Sequence, residues 1–177
     1  IDDAVDFTEY KERHAFGEIY ETILKDLQSA GNAGEFYTPR AVTDFMAQAL
    51  TPRLGETVAD FACGTGGFLT SALKILDTQV QTPEDRELYA KSVYGIEKKQ
   101  LPYLLCVTNM LLHDIDSPEV FHDNSLEKDV REWKHKPNGQ FDVVLMNPPY
   151  GGSESASVQN NFPVALRSSE TADLLSS

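Results

Sequence analysis

Four consecutive residues carry the sharpest chemical signal in this 177-residue chain: Asn147-Pro148-Pro149-Tyr150, directly after the apolar run Val143-Val144-Leu145-Met146. Two adjacent prolines can neither continue a strand ladder nor enter a helix interior, so the backbone there is stiff and its carbonyls face outward. The amide oxygen of Asn147 and the carbonyl of Pro148 would form a pair of acceptors for an –NH2 group. An aryl or amide nitrogen is a poor nucleophile because its lone pair is delocalised. Acceptors on both of its hydrogens favour a more tetrahedral nitrogen with its lone pair aimed at a methyl sulfonium, an effect that grows towards the transition state. Tyr150 offers a face on which a planar base can stack. The competing structural reading is a rigid strand-end turn with a core tyrosine.

A second constellation lies upstream, Asp60-Phe61-Ala62-Cys63-Gly64-Thr65-Gly66-Gly67-Phe68. A glycine-rich turn between a strand and a helix lets a cofactor lie against bare backbone N–H groups. A dinucleotide fingerprint would need glycine where Leu69 stands, and a Walker-type phosphate loop would need Lys-Ser/Thr after the glycines. A G-x-G-G turn with Asp60 closing the strand suits S-adenosylmethionine, which has no phosphates. The same residues would also serve a plain tight turn. Glu97, thirty-one positions after Gly66, ends the next predicted strand. In nucleoside-binding α/β folds an acid there accepts hydrogen bonds from ribose hydroxyls; the structural alternative is an acid favouring the start of the following helix.

The elements that must position these groups follow from periodicity. Phe16, Ile19, Tyr20, Ile23, Leu24 and Leu27 predict an amphipathic helix, stopped by Gly31 and Gly34. Thr38 before Pro39 predicts an N-cap and first helical position, with Val42, Phe45, Met46, Ala49 and Leu50 as the buried face. Thr57–Asp60 is a short buried strand, and Phe68 to Leu76 an apolar helix. Thr82-Pro83-Glu84-Asp85 starts another helix, and Val93–Ile96 is a strand ending at Glu97. Leu101, Leu104, Leu105, Thr108, Leu111 and Leu112 predict a further helix, 119–121 a weak strand and 142–146 a strong one. Strands alternating with helices argue for an α/β fold with a mainly parallel sheet. If the first strand is central and the fourth lies beside it, the glycine turn and Asn147–Tyr150 meet at one crevice.

Composition narrows the function classes. Fifteen Lys+Arg against twenty-eight Asp+Glu give a net charge of −13, whereas unaided duplex binding needs a basic face. The first thirty residues hold eight acids and three bases. Lys98-Lys99 and the stretch from Lys128 to Lys136 read as solvated surface. No apolar run approaches the ~20 residues of a membrane span, and no secretory signal opens the chain. Cys63 and Cys106 suit no metal or disulfide framework; His14, His113, His122 and His135 show no ligand spacing, so no metal is expected.

Together these stretches resemble the modification (M) subunit of type I restriction–modification systems, a DNA adenine-N6 methyltransferase of the γ motif order that uses S-adenosylmethionine. Gly34-Glu35-Phe36-Tyr37-Thr38-Pro39-Arg40 is similar to the family's upstream cofactor motif. Asp60 to Phe68 resembles its glycine motif, usually written with proline where Phe61 stands. Gly95-Ile96-Glu97 resembles its ribose-binding strand end, and Phe141 to Gly152 its catalytic strand and N-P-P-Y loop. The resemblance implies a Rossmann-like class I methyltransferase fold preceded by N-terminal helices. Residues 1–38 would be a helical lead-in with the cofactor-motif loop, and 39–152 the first part of the methyltransferase domain. The Gly-, Ser- and Asn-rich 153–177 would be a flexible loop and the start of a remainder, the sheet being truncated after its fourth strand.

The resemblance also implies roles. Glu35, Phe36, Tyr37, Thr38 and Pro39 would pack around the methionine and sulfonium end of the cofactor, and Gly64, Thr65, Gly66 and Gly67 would take its carboxy-amino end beside Asp60. Glu97 would hold the ribose, and one of Asp123, Asn124 and Ser125 would lie near the adenine. Asn147, Pro148, Pro149 and Tyr150 would hold a flipped target adenine. Partners would be a specificity (S) subunit that reads double-stranded DNA and, in systems that carry it, a restriction (R) subunit. The location would be the prokaryotic cytoplasm, and the fragment alone would have little or no activity. Two alternatives stand beside this: a protein glutamine-N5 methyltransferase, which shares the N-P-P-Y chemistry, and a catalytically silent cofactor-binding subunit. N4-cytosine is open on the same chemistry, though that group more often has serine where Asn147 stands. C5-cytosine chemistry is excluded, because neither Cys63 nor Cys106 follows proline in a nucleophile loop.

Overall fold

Short apolar runs bounded by turn residues become the strands of one parallel sheet: β1 Val58–Asp60, β2 Val93–Glu97, β3 Glu119–His122 and β4 Val143–Val144. The computed structural model describes residues 37–127, 140–149 and 154–162, with Phe16, Gly17, Ile19, Tyr20, Thr22, Ile23, Leu24 and Asp26, which are helical (α1). The other helices are α2 Arg40–Leu50, α3 Gly67–Asp77, α4 Pro83–Ala90, α5 Gln100–Leu112 and α6 Ala156–Gln159. Strand order is β3-β2-β1-β4, with Val58 opposite both Val93 and Val143 and Gly95 opposite Val120. Strands covered on both faces read as continuous apolar runs, and β1 is buried throughout.

One sheet face holds the main core. Val58 packs with Ala47, Phe68, Ala72 and Leu145. Val93 and Val120 pack with Leu69, Leu73 and Leu76 of α3 and with Cys106 and Met110 of α5. The other face carries Ala59, Tyr94 and Ile96 with Phe61 and Phe141. There Tyr94 lies 5.3 Å from the Phe121 ring and 4.9 Å from that of Phe141.

Local chemistry sets several boundaries as expected. Thr82 caps α4, its hydroxyl accepting from the Asp85 N–H while the Asp85 carboxylate accepts from the Thr82 N–H, a complete capping box. The register of β4 on β1 is fixed at its start, where the Asp142 carboxylate accepts from the Thr57 N–H at 2.8 Å. The fourth strand is shorter than its apolar run predicts: only Val143–Val144 form the ladder, although Leu145 N–H still donates to the Ala59 carbonyl at 2.9 Å. Pro148 and Pro149 follow, and proline cannot donate to a ladder.

Two helices bury a different stripe from the sequence expectation, although Met46 of α2 and Leu105 and Leu112 of α5 still pack inward. In α2 the buried residues are Thr43 and Ala47, while Val42, Phe45 and Leu50 are exposed, Phe45 to 70%. Close approach to α3 decides this: a Cβ added at Gly67 would already stand 3.4 Å from Thr43 Cγ2, so small residues must face inward. In α5 the core takes Pro102, Cys106, Asn109, Met110 and Leu112, and Leu101, Leu104 and Leu111 are exposed. That helix is apolar on nearly every side, so periodicity leaves several stripes open and contact with the sheet chooses one. α1 keeps half of its predicted stripe: Tyr20 and Leu24 are buried with Leu112 and Tyr37, and Ile19 and Ile23 are exposed. Leu27, Gly31 and Gly34 lie outside the described residues. Among the described residues no helix is long and apolar enough to cross a membrane.

Candidate functional site

The order β3-β2-β1-β4 puts the chain reversal between β1 and β4. Parallel strands there send their following loops to opposite faces and open a crevice beyond their carboxyl ends. Asp60, Glu97, Asp123 and Asn147 stand at or just after the ends of β1, β2, β3 and β4 respectively. The sheet thus brings the glycine turn, the strand-end acid and the Asn147–Pro149 segment to one edge. Glu35, Phe36 and Tyr150 lie outside the described residues.

The turn after β1 is built from backbone. Gly64 and Gly66 have φ of 53° and 83°, a region where other residues are strained. A Cβ at Gly66 would stand 2.8 Å from Cys106 Sγ. Cys63 N–H donates to the Ile96 carbonyl at 3.0 Å and Gly66 N–H to the Cys63 carbonyl at 2.7 Å. The Glu97 carboxylate reaches over from β2: Oε2 accepts from Gly64 N–H at 2.9 Å and Oε1 from Lys99 N–H at 2.7 Å. A carboxylate has about four lone-pair positions, so those two bonds leave room for two vicinal hydroxyls. The residues therefore suit a nucleoside cofactor without phosphates: bare backbone, a half-buried acid at ribose position, and no lysine in the loop.

Asp60 is 1% exposed and accepts from Ala62 N–H at 3.0 Å. Burial pushes its carboxyl up to about 8, with the Ala62 bond opposing and the Glu97 charge adding. Contact with Cys106, and then burial, raise the Cys63 thiol far above its ordinary value, which argues against a nucleophilic role.

The residues after β3 divide their tasks. Asn124 Nδ2 donates to Glu154 Oε2 at 3.0 Å, and its Oδ1 accepts from Leu126 N–H at 3.1 Å. Both ends of its carboxamide are therefore engaged within the protein. Asp123 Oδ1 accepts from Asn124 N–H at 2.8 Å, and Ser125 is half-buried beside them. Tyr37 is buried against Tyr20, Leu24 and Leu112. Its hydroxyl, raised by burial and the nearby Asp44 charge, has no hydrogen-bond partner among the described residues. Thr38 is no helix cap: Pro39 occupies that position without side-chain capping. The Thr38 hydroxyl instead accepts from Asn147 Nδ2 at 3.2 Å.

Three supporting residues carried no assigned role in the sequence. Asn109, fully buried in α5, donates to the Thr65 carbonyl at 3.0 Å and so props the glycine turn from behind. An amide directly ahead of the apolar run Met110-Leu111-Leu112 is the available signal. Arg40 donates to the Gly67 carbonyl at 2.7 Å and to Thr70, and burial lowers its guanidinium to about 10. Glu154 pairs with Lys98 at 2.6 Å as well as with Asn124, returning the segment after the N-P-P-Y residues to the ends of β2 and β3. Nothing local in its Gly- and Ser-rich surroundings announces that. An open cleft of about 470 Å³ lined by Leu50, Arg53, Glu56 and Asp142 lies at the opposite end of the strands. No group of three or more His, Cys, Asp or Glu that could hold a metal occurs among the described residues.

A parallel sheet with its first strand beside its fourth, a glycine turn after the first and Asn-Pro-Pro after the fourth define an α/β methyltransferase domain of the class that uses S-adenosylmethionine. The profile of the N-6 DNA methylase family matches residues 11–175. The chain is 54% identical, over 172 residues, to the type I restriction enzyme EcoEI methylase subunit of Escherichia coli, covering 96% of this chain and 34% of that one. It superposes with a TM-score of 0.80 and 44% identity on a modification subunit assigned to a type I restriction enzyme of Vibrio vulnificus YJ016, covering 94% and 34%. For the fold alone, it matches a protein assigned as a class I S-adenosylmethionine-dependent methyltransferase from Listeria monocytogenes at TM-score 0.68 and 16% identity, over 97% and 50%. The chain belongs to the N-6 DNA methylase family, in its type I restriction–modification branch. It spans about a third of the length of the curated relatives it matches. Nothing in these similarities supports the glutamine-amide or silent-subunit alternatives.

Proposed function

We propose that this chain is the catalytic part of a type I modification subunit, transferring a methyl group from S-adenosylmethionine to N6 of adenine in DNA. The observation that carries it is the meeting of the glycine turn and Asn147–Pro149 at the β1/β4 reversal. Glu97 takes the ribose hydroxyls. The turn from Cys63 to Gly67 takes the carboxy-amino end, with Asp60 holding the strand end, and Asp123 lies on the adenine side. Glu35, Phe36, Tyr37, Thr38 and Pro39 border the reacting end. Bound there, the cofactor supplies an electrophilic methyl on a sulfonium sulfur.

The chain's own residues act on the nucleophile. The Asn147 amide oxygen and the Pro148 carbonyl accept the two N6 hydrogens, drawing the nitrogen towards tetrahedral geometry as its bond to carbon forms. Pro149 stiffens that carbonyl, and Tyr150 stacks on the base, which must leave the duplex to reach the site. This chain's −13 charge gives it little phosphate affinity of its own, so a specificity subunit holds the duplex as well as reading its sequence; a restriction subunit completes systems that cleave.

The test uses the full-length subunit assembled with its specificity partner, labelled cofactor and duplex DNA. Label recovered as N6-methyladenine, reduced at least about a hundredfold by Asn147→Ala, is the expected result. Label on a protein amide instead of DNA would move the assignment to glutamine methylation.

A further inference from the structure

A parallel ladder holds two strands in step only as far as its last pair. Between β2 and β3 that pair is Glu97 and His122, and the two acids read as facing ribose and adenine, Glu97 and Asp123, lie at its end and one residue beyond. Their spacing therefore depends on what joins the strand ends past the ladder. The Asp123 N–H donates to the Glu97 carbonyl at 3.1 Å, and the His122 ring nitrogen bonds the Lys98 carbonyl at 3.0 Å. We infer that Glu154 is a positioning residue for the nucleoside end of the cofactor site, its carboxylate stapling the residue after Glu97 to the residue after Asp123. This rests on the roles proposed above for those two acids.

The chemistry of the staple is specific. Glu154 Oε1 accepts from Lys98 Nζ at 2.6 Å and Oε2 from Asn124 Nδ2 at 3.0 Å. Both partners can only donate there. An ammonium has no acceptor, and the Asn124 carboxamide is held one way round because its Oδ1 accepts from the Leu126 N–H at 3.1 Å. Two donors converging from two strand ends need two acceptor atoms on one side chain, which a carboxylate supplies and a carboxamide does not. The Glu154 side chain is only 11% exposed, and bonds to an ionised group are about twice as strong as neutral ones.

The segment that presents Glu154 is docked further along as well. Ser155 caps α6 and Val158 is buried, and Asn161 Nδ2 donates to the Leu126 and Glu127 carbonyls at 3.0 and 3.1 Å. The staple reaches both acids through one peptide each. Lys98 stands between Glu97 and Lys99, whose N–H donates to Glu97 Oε1 at 2.7 Å; the Asn124 N–H donates to Asp123 Oδ1 at 2.8 Å.

Glu154→Gln keeps the shape and leaves one donor facing another whichever way its amide turns. Two ligands separate the ends of the site: S-adenosylhomocysteine, the cofactor without its methyl group, and 5′-methylthioadenosine, which keeps ribose and adenine and lacks the amino acid. In the assembled full-length complex, calorimetry should show Glu154→Gln raising both Kd values about tenfold, the size of one hydrogen bond, with Tm within a few degrees of wild type. Asn109→Leu, which acts on the glycine turn, should raise only the first. Lys98→Ala removes one arm of the staple at a half-exposed side chain and should raise both about threefold; it decides the matter if Glu154→Gln does not assemble. Methylation by Glu154→Gln should fall at low cofactor and recover at saturation. Unchanged affinity for 5′-methylthioadenosine would overturn the inference. So would a rate that stays low at saturating cofactor with both Kd values unchanged, which would assign Glu154 to the target-amine side. Equal weakening of 5′-methylthioadenosine by Asn109→Leu would overturn it too, since the loss would then be a general loosening of the domain. Wild-type complex that binds both ligands and leaves adenine unmethylated would sink the adenine-N6 reading alone; wild type that binds neither would sink both.

Discussion

Asp60 shows how one residue can couple the glycine turn to pH. Its carboxyl is buried at the end of a fully buried strand and rises to about 8 from an ordinary 3.8, chiefly through burial. Between those two values the unfolded chain has released a proton that the folded chain retains, so stability falls as pH climbs through the window. The contribution is whole below about 4 and gone above about 8. Thermal unfolding of the full-length subunit should therefore show a Tm that declines from about pH 5 to about pH 8, and Asp60→Asn should flatten that decline. Equal slopes in the two proteins would mean that the carboxyl titrates as it does in water. Asp60 was legible in the sequence as an acid closing a strand before glycines; its depth was not, because burial comes from β2 and β4 on either side.

At the scale of elements, what could be read ahead was what the chain does to itself within a few residues. Thr82-Pro83-Glu84-Asp85 predicted a helix start and forms a capping box, since donor and acceptor are three residues apart. The strand alternation predicted a mainly parallel sheet, and β1 pairs in parallel with both β2 and β4. Thr38-Pro39 looked equally local and misled, since its hydroxyl goes to a residue 109 positions away. The faces of α2 and α5 misled for a related reason: each offers more apolar stripes than its neighbours can cover. Asn109 reads as one amide in an apolar helix, yet it links α5 to the glycine turn. Its Oδ1 has no hydrogen-bond partner among the described residues, so Asn109→Leu removes an uncompensated oxygen along with the bond. The Thr65 carbonyl left behind loses a partner worth about 1–3 kcal/mol when buried. The two changes offset in overall stability but not in the turn, so Tm should move by only a few degrees while cofactor Kd rises about tenfold, read by calorimetry. A large drop in Tm with unchanged Kd would make Asn109 a core residue and nothing more.

On the proposed function, the charge balance of the whole chain bears on how DNA would be held. Each phosphate neutralised by a lysine or arginine steepens the fall of log K with log salt by about 0.9. A chain at −13 would contribute few such contacts, and Lys98, just after the end of β2, is already paired with Glu154 at 2.6 Å. Glu154 is in turn held by Asn124, which fixes the carboxylate in place. Lys98 therefore ties the segment after the N-P-P-Y residues to the sheet edge, and on the proposed function the phosphates would fall to a partner subunit. In the assembled complex, Lys98→Ala should leave the salt slope of DNA binding unchanged between about 50 and 200 mM while lowering the methylation rate. A slope shallower by about 0.9 would show instead that Lys98 reaches a phosphate when DNA is bound. Its pairing with Glu154 would then be exchanged when DNA binds, with Asn124 still holding the Glu154 carboxylate.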